Sequence, residues 1–206
     1  MAALFLASCN EVSTSQSGPD SGTERKASRM MSLVAKSAII SPAPLACPLS
    51  IYRSKSNQDG EVANCKTHPK LCIAQCEQGN RKSCFDAAQV IEAARARDGN
   101  QATYPLYVEG CALGDSNACV NAIATLKNTV WSSPPPAKAV APACQYKTVK
   151  RMCDEKAPWG CYMTAKEYQR HGKNGYVKNS KVKHDRYMRR ACALAPKSGA
   201  CLDPYK

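Results

Sequence analysis

Tyr107-Val108-Glu109-Gly110-Cys111-Ala112-Leu113-Gly114-Asp115-Ser116-Asn117-Ala118-Cys119 places two cysteines eight positions apart around a Gly-Asp step. Helical text runs up to Gly114, and a small polar residue, Ser116, reopens it. Glycine just past a helix end, followed by such a starter, signals two helices joined by a tight turn. The same device stands at Cys76…Cys84 around Gly79-Asn80 and Ser83. The cysteine spacing recurs at Cys153…Cys161, with a looser copy nine apart at Cys192…Cys201. First cysteines of successive pairs are separated by 35, 42 and 39 residues, inside the period of helical repeat arrays. Each pair is therefore expected to staple the end of one helix to the start of the next.

Reading outward, Leu71, Cys72, Ala74 and Cys76 lead into the first turn, and Cys84, Ala87, Ala88, Ile91 and Ala94 leave it, at helical spacings of three and four. Asp98-Gly99-Asn100 is expected to break the pattern, which resumes through Leu106, Val108 and Cys111 with Pro105 in the first turn. After Cys119 it continues as Ala122, Ile123 and Leu126. Trp131-Ser132-Ser133-Pro134-Pro135-Pro136 reads as an inserted polyproline connector that accounts for the longest period, with Trp131 a candidate partner contact. Further helices are expected from about Ala143 to Glu155, Gly160 to His171 and Val182 to Leu194, with a truncated one beginning at Cys201. The fold class is all-α, an α/α solenoid of helix-turn-helix repeats over residues 66–206.

The stretches Tyr107 to Cys119 and Tyr187-Met188-Arg189-Arg190-Ala191-Cys192-Ala193-Leu194 resemble Sel1-like repeats, in the cysteine-rich form of secreted bacterial proteins. The run from Tyr168 through Gly172, Gly175, Val177 and Asp185 to Cys192 is similar to that family's Tyr…Gly-x-Gly-Val…Asp…Tyr…Cys pattern, with Tyr176 intruding before Val177. The resemblance implies a stack of disulfide-stapled helix pairs that serves protein binding.

Composition agrees with thin, closely packed helix pairs. Of 206 residues 44% are apolar, yet only two are Phe and two Trp, so a thick sandwich or barrel core has no material. Such a core needs staples. Thirteen cysteines in paired spacing point to an oxidising compartment. Zinc would call for Cys-x2-Cys or Cys/His clusters, and His68, His171 and His184 do not track the cysteines. No metal or other cofactor is expected. Cys47, Cys65, Cys72 and Cys144 fall outside the recurring pairs and allow three connectivities, Cys47 with Cys65 as an N-terminal cap among them.

The chain before the repeats divides into three parts. Residues 1–9 end in Leu6-Ala7-Ser8-Cys9, which resembles a lipobox at the end of a truncated leader, with Cys9 as the lipidation site. Setting Cys9 aside leaves an even twelve cysteines for pairing. Asn10 follows where an inner-membrane retention signal has Asp, which favours the outer membrane. Residues 10–46, rich in Ser, Thr, Gly and Pro, read as a flexible tether, with one short stretch, Met30 to Ile40, that could be helical. Residues 47–65 form a cap region.

Catalytic motifs are missing: there is no His-Glu-x-x-His, Gly-x-Ser-x-Gly, Walker loop or dinucleotide fingerprint. Ser180-Lys181-Val182-Lys183 matches the Ser-x-x-Lys of penicillin-interacting, β-lactamase-like enzymes, but Ser-Asp-Asn and Lys-Thr-Gly are absent. The expectation is a protein that is not an enzyme. Charge is the stronger signal. From Gln145 onward fifteen Lys and Arg face five Asp and Glu, so ten of the thirteen net positive charges fall in the last 62 residues. A field of that sign steers an acidic protein or an anionic membrane, and export argues against nucleic acid. Arginine is favoured over lysine at interface anchors, which singles out Arg170, Arg186, Arg189 and Arg190 as partner-binding residues. The expected function is a periplasmic, lipid-anchored binding protein. The family resemblance makes the most specific version an immunity protein against a type VI secretion toxin of phospholipase type, with an envelope scaffold or assembly factor as the alternative.

Overall fold

The computed structural model describes residues 21–40, 62–94, 99–128, 142–169 and 176–202. Within these the chain is all-helical, with no strand. The helices are α1 (Ser21–Val34), a 3-10 turn at Ala38–Ile40, α2 (Pro69–Glu77), α3 (Arg81–Ala93), α4 (Gly99–Ala112), α5 (Ser116–Asn128), α6 (Pro142–Asp154), α7 (Pro158–Gln169), α8 (Lys181–Leu194) and α9 (Gly199–Leu202). From α2 onward each packs on the next, and α5 also reaches α7, as α7 reaches α9.

Three of the turns share one backbone geometry. Asn80 N donates to Gln75 O, Asp115 N to Gly110 O and Ala157 N to Met152 O, each at 2.9 Å, which closes the helix end with a six-residue loop. That loop needs a left-handed residue three positions after the first cysteine. Gly79 (φ 92°) and Gly114 (φ 95°) supply it, and in the third turn Lys156 adopts it at φ 65°. The first two turns are also capped: Asn80 Oδ1 accepts from Ser83 N at 3.0 Å and Asp115 Oδ1 from Ala118 N at 2.9 Å. The third has Ala157 there. A non-glycine residue in this conformation costs roughly 1–2 kcal/mol, partly offset by the backbone freedom glycine loses on folding. Lys156→Gly is therefore expected to stabilise the protein by about 0.5–1 kcal/mol, measured as a raised urea midpoint at unchanged slope. A lowered midpoint would show that the Lys156 side chain contributes more than the strain removes.

At the second and third turns a glycine just before one cysteine lets the paired helices come together. A Cβ on Gly110 would lie 3.0 Å from Ala118 Cβ, and one on Gly160 would lie 2.7 Å from both Met152 Cβ and Cys153 N. At the first turn the same two positions are polar, and Ser83 Oγ donates to Gln75 Oε1 at 2.9 Å. The cysteines follow directly. Cα atoms are 4.7 Å apart for Cys76 and Cys84, 4.5 Å for Cys111 and Cys119, 4.3 Å for Cys153 and Cys161, and 4.6 Å for Cys192 and Cys201. All four separations lie at or near those of disulfides.

Several expectations change. Residues 21–40, assigned to the tether, are α1 and the 3-10 turn, docked on α2, α3 and α4. Ala27, Met30 and Val34 recur at three and four and are fully buried, so a narrow apolar stripe in polar text suffices to seat this helix. Gly99 opens α4, where a break was expected, and Pro105 lies inside that helix, past its first turn. Cys65 is paired with Cys72, Cα atoms 5.2 Å apart, which removes the Cys47–Cys65 pairing; Cys144 is disulfide-bonded as well. The two are brought together because Lys66 and Thr67 lie in the turn that leads into α2. Cys9, Cys47 and the Trp131–Pro136 insertion lie outside the described residues.

The core thins toward the C-terminus. One cluster runs from Met30 to Ala157 and includes Ile91, Leu106, Tyr107, Ile123 and Met152. The last one has only Cys153, Cys161, Ala191 and Ala200 fully enclosed, flanked by Tyr162, Tyr187 and Leu194. Helix α8 buries just Met188 and Ala191.

Candidate binding surface

The basic C-terminal third is built on α6, α7 and α8, and its exposed charges are unequal in kind. Lys150 and Arg151 bond Asp154 and Glu155 one turn on, at 2.6 and 2.9 Å. Lys181 holds Asp185 at 2.7 Å, and Arg190 reaches across to Asp154 on α6 at 3.6 Å. Exposed pairs of this kind contribute little stability, but they locate the acids already subtracted in the net charge and so mark which cations are left unmatched. Arg186 and Arg189 make no ion pair among the described residues and stand exposed on α8. Of the expected partner-binding residues, Arg186, Arg189 and Arg190 thus share one helix, with Arg190 turned to α6. Trp131 and Arg170 lie outside the described residues.

Tyrosines organise the same surface. Tyr168 and Tyr187 stack with ring centres 5.7 Å apart and planes 6° from parallel, and Tyr146 meets Tyr168 edge-on at 6.1 Å. The Tyr146 and Tyr168 hydroxyls hydrogen-bond at 2.8 Å. Burial first, then the hydrogen bond to Tyr168, pushes the Tyr146 hydroxyl well above the usual tyrosine range, so it stays protonated at any physiological pH. Tyr176, half exposed, leans on Tyr146 at 5.5 Å, and the Lys183 ammonium sits 5.2 Å from the Tyr168 ring centre. These contacts stand in for the aliphatic core that α8 lacks. Six of the nine tyrosines fall after residue 145, a bias in the sequence that could have flagged this surface beside the arginines.

Between α7 and α8 opens a cavity of 760 Å³ lined by Tyr168, Met188, Cys192, His184, Asp185 and Arg189, among others. Asp185 accepts from Lys181 and lies 3.0 Å from His184 Nδ1; these bonds, that from Lys181 first, hold its carboxyl below the ordinary range. Ser180, the candidate nucleophile of the Ser-x-x-Lys match, caps α8 by accepting from Lys183 N at 3.3 Å. Among the described residues no cluster of His, Cys, Asp and Glu could hold a metal ion, and no helix is long and apolar enough to cross a membrane.

No family model matches this chain, and neither does any curated protein or solved structure.

Proposed function

We propose that this chain is a non-enzymatic, exported protein-binding lipoprotein, a disulfide-stapled α/α solenoid of Sel1-like repeats anchored through Cys9 to the outer membrane and facing the periplasm. The observation that supports it is the recurrence of one helix-turn-helix unit, each copy with a cysteine pair at its turn, ending in a basic, tyrosine-lined surface. A rigid stack of this kind loses little freedom on binding. Tyrosine and arginine are the residues that dominate protein interfaces. An acidic partner fits the charge.

The most specific form of this reading is an immunity protein that neutralises a type VI secretion toxin of phospholipase type. Its test is a deletion strain grown against toxin-bearing siblings. The strain is expected to be killed in mixed culture and to grow normally alone. Complementation with a chain carrying Arg186→Glu and Arg189→Glu should protect poorly, because each reversal at an interface costs roughly tenfold or more in affinity for an acidic partner. Equal loss of growth and envelope integrity with the toxin gene absent would replace the immunity reading with an envelope scaffold. Hydrolysis of a chromogenic cephalosporin that vanishes in Ser180→Ala would replace both with an enzyme.

A further inference from the structure

The α7–α8 cavity has the size of sites that enclose small organic ligands, and its two halves differ in chemistry. The least exposed lining is apolar: Tyr168 and Met188, each less than a tenth exposed, beside Cys192, with the amides of Gln169 and Asn179 also on the wall. The more exposed lining is charged, with Lys181, Asp185, His184 and Arg189. Lys181 and His184 are both committed to Asp185, which compensates that carboxylate. Arg190, next along the helix, is turned to Asp154. Arg189 is left as the cation of that lining with no ion pair among the described residues. An apolar floor with the Arg189 guanidinium at its edge, and the Lys183 ammonium 5.2 Å from the Tyr168 ring centre, is complementary to a molecule with an apolar chain and one anionic head.

We propose that this cavity binds a single-chain amphipathic anion, its chain over Tyr168, Met188 and Cys192 and its carboxylate or phosphate head on the Arg189 guanidinium. The guanidinium fork matches either head in a bidentate contact, and the thioether adapts to a flexible chain. This site stands independently of the protein-binding reading, since neither requires the other.

Calorimetric titration of the full chain with decanoate, decyl phosphate, decanol and decyltrimethylammonium, each below its micellar concentration, tests it. The anions are expected to bind, the tighter of the two naming the head group, and decanol and the cation to bind at least tenfold more weakly. Arg189→Gln should weaken the anions by roughly tenfold, the scale of one lost charge-assisted contact, and leave decanol unchanged. In methyl-labelled protein the Met188 signal should move on titration and that of the enclosed Met152 should not. Equal binding of decanol and decanoate, an Arg189→Gln protein with unchanged anion affinity, or a stationary Met188 signal would each overturn the proposal.

Discussion

Reduction of the native protein is expected to remove its cooperative thermal transition. A bridge closing about nine residues restricts the unfolded chain by roughly 2.5 kcal/mol, so four bridges at the recurring pairs would together contribute on the order of 10 kcal/mol. That matches the whole stability of an ordinary domain, and the last core cluster encloses only four small residues, two of them Cys153 and Cys161. Circular dichroism followed through a melt, with and without a phosphine reductant, checks this. Cys76, Cys84, Cys153 and Cys161 are fully buried, whereas Cys192 and Cys201 are only partly buried. The Cys192–Cys201 pair should therefore open first under native conditions, and the others should need partial unfolding. An unchanged melting temperature after complete reduction would show that the cysteines are incidental to the fold.

Glu167→Ala is expected to destabilise the protein by about 3–5 kcal/mol. Lys127 on α5 and Glu167 on α7 form a salt bridge with both side chains about 5% exposed or less, joining two helices 40 positions apart in sequence. Removing the carboxylate breaks, from one side, the buried pair that joins α5 to α7, and breaking such a pair is far more costly than the pair is beneficial. The double change Lys127→Met with Glu167→Leu should recover most of the loss, because an apolar pair of similar volume carries no desolvation penalty. Urea denaturation of the two single variants and the double variant closes the cycle. A loss below about 1 kcal/mol in Glu167→Ala would mean that water reaches the site and screens it.

How legible these features were depends on the range of the contact that makes them. Turns at Gly79-Asn80 and Gly114-Asp115 are local: the left-handed glycine and the capping side chain are both written in adjacent residues, and they stand where they were expected. Glu155-Lys156-Ala157 carries neither signal and folds the same way, so there only the cysteine spacing revealed the turn. Helix α1 was legible only at its end, where Met30 to Ile40 could be helical, because three buried residues among polar ones resemble a linker until something covers them. Arginine prominence in α8 was visible by counting. Which arginine faces outward was not, since the Arg190–Asp154 contact spans 36 positions, and the Tyr168–Tyr187 stack spans 19. Such pairings follow from how α6, α7 and α8 lie on one another, and no periodicity within a helix encodes them. The same limit explains why the cavity between α7 and α8 had no counterpart in the sequence reading.

Non-reducing peptide mapping of the protein isolated unreduced from its native cells tests the central claim, a repeat stack closed by disulfides in an oxidising compartment, most directly. The account predicts linked peptides for Cys65 with Cys72, Cys76 with Cys84, Cys111 with Cys119, Cys153 with Cys161 and Cys192 with Cys201. On the proposed lipidation of Cys9 twelve cysteines remain to pair, and the account then predicts Cys47 linked to Cys144. Free, alkylatable thiols at Cys76, Cys84, Cys111, Cys119, Cys153 and Cys161 in the unreduced protein would contradict it, and with it the export, the stapled solenoid and the binding function proposed on them.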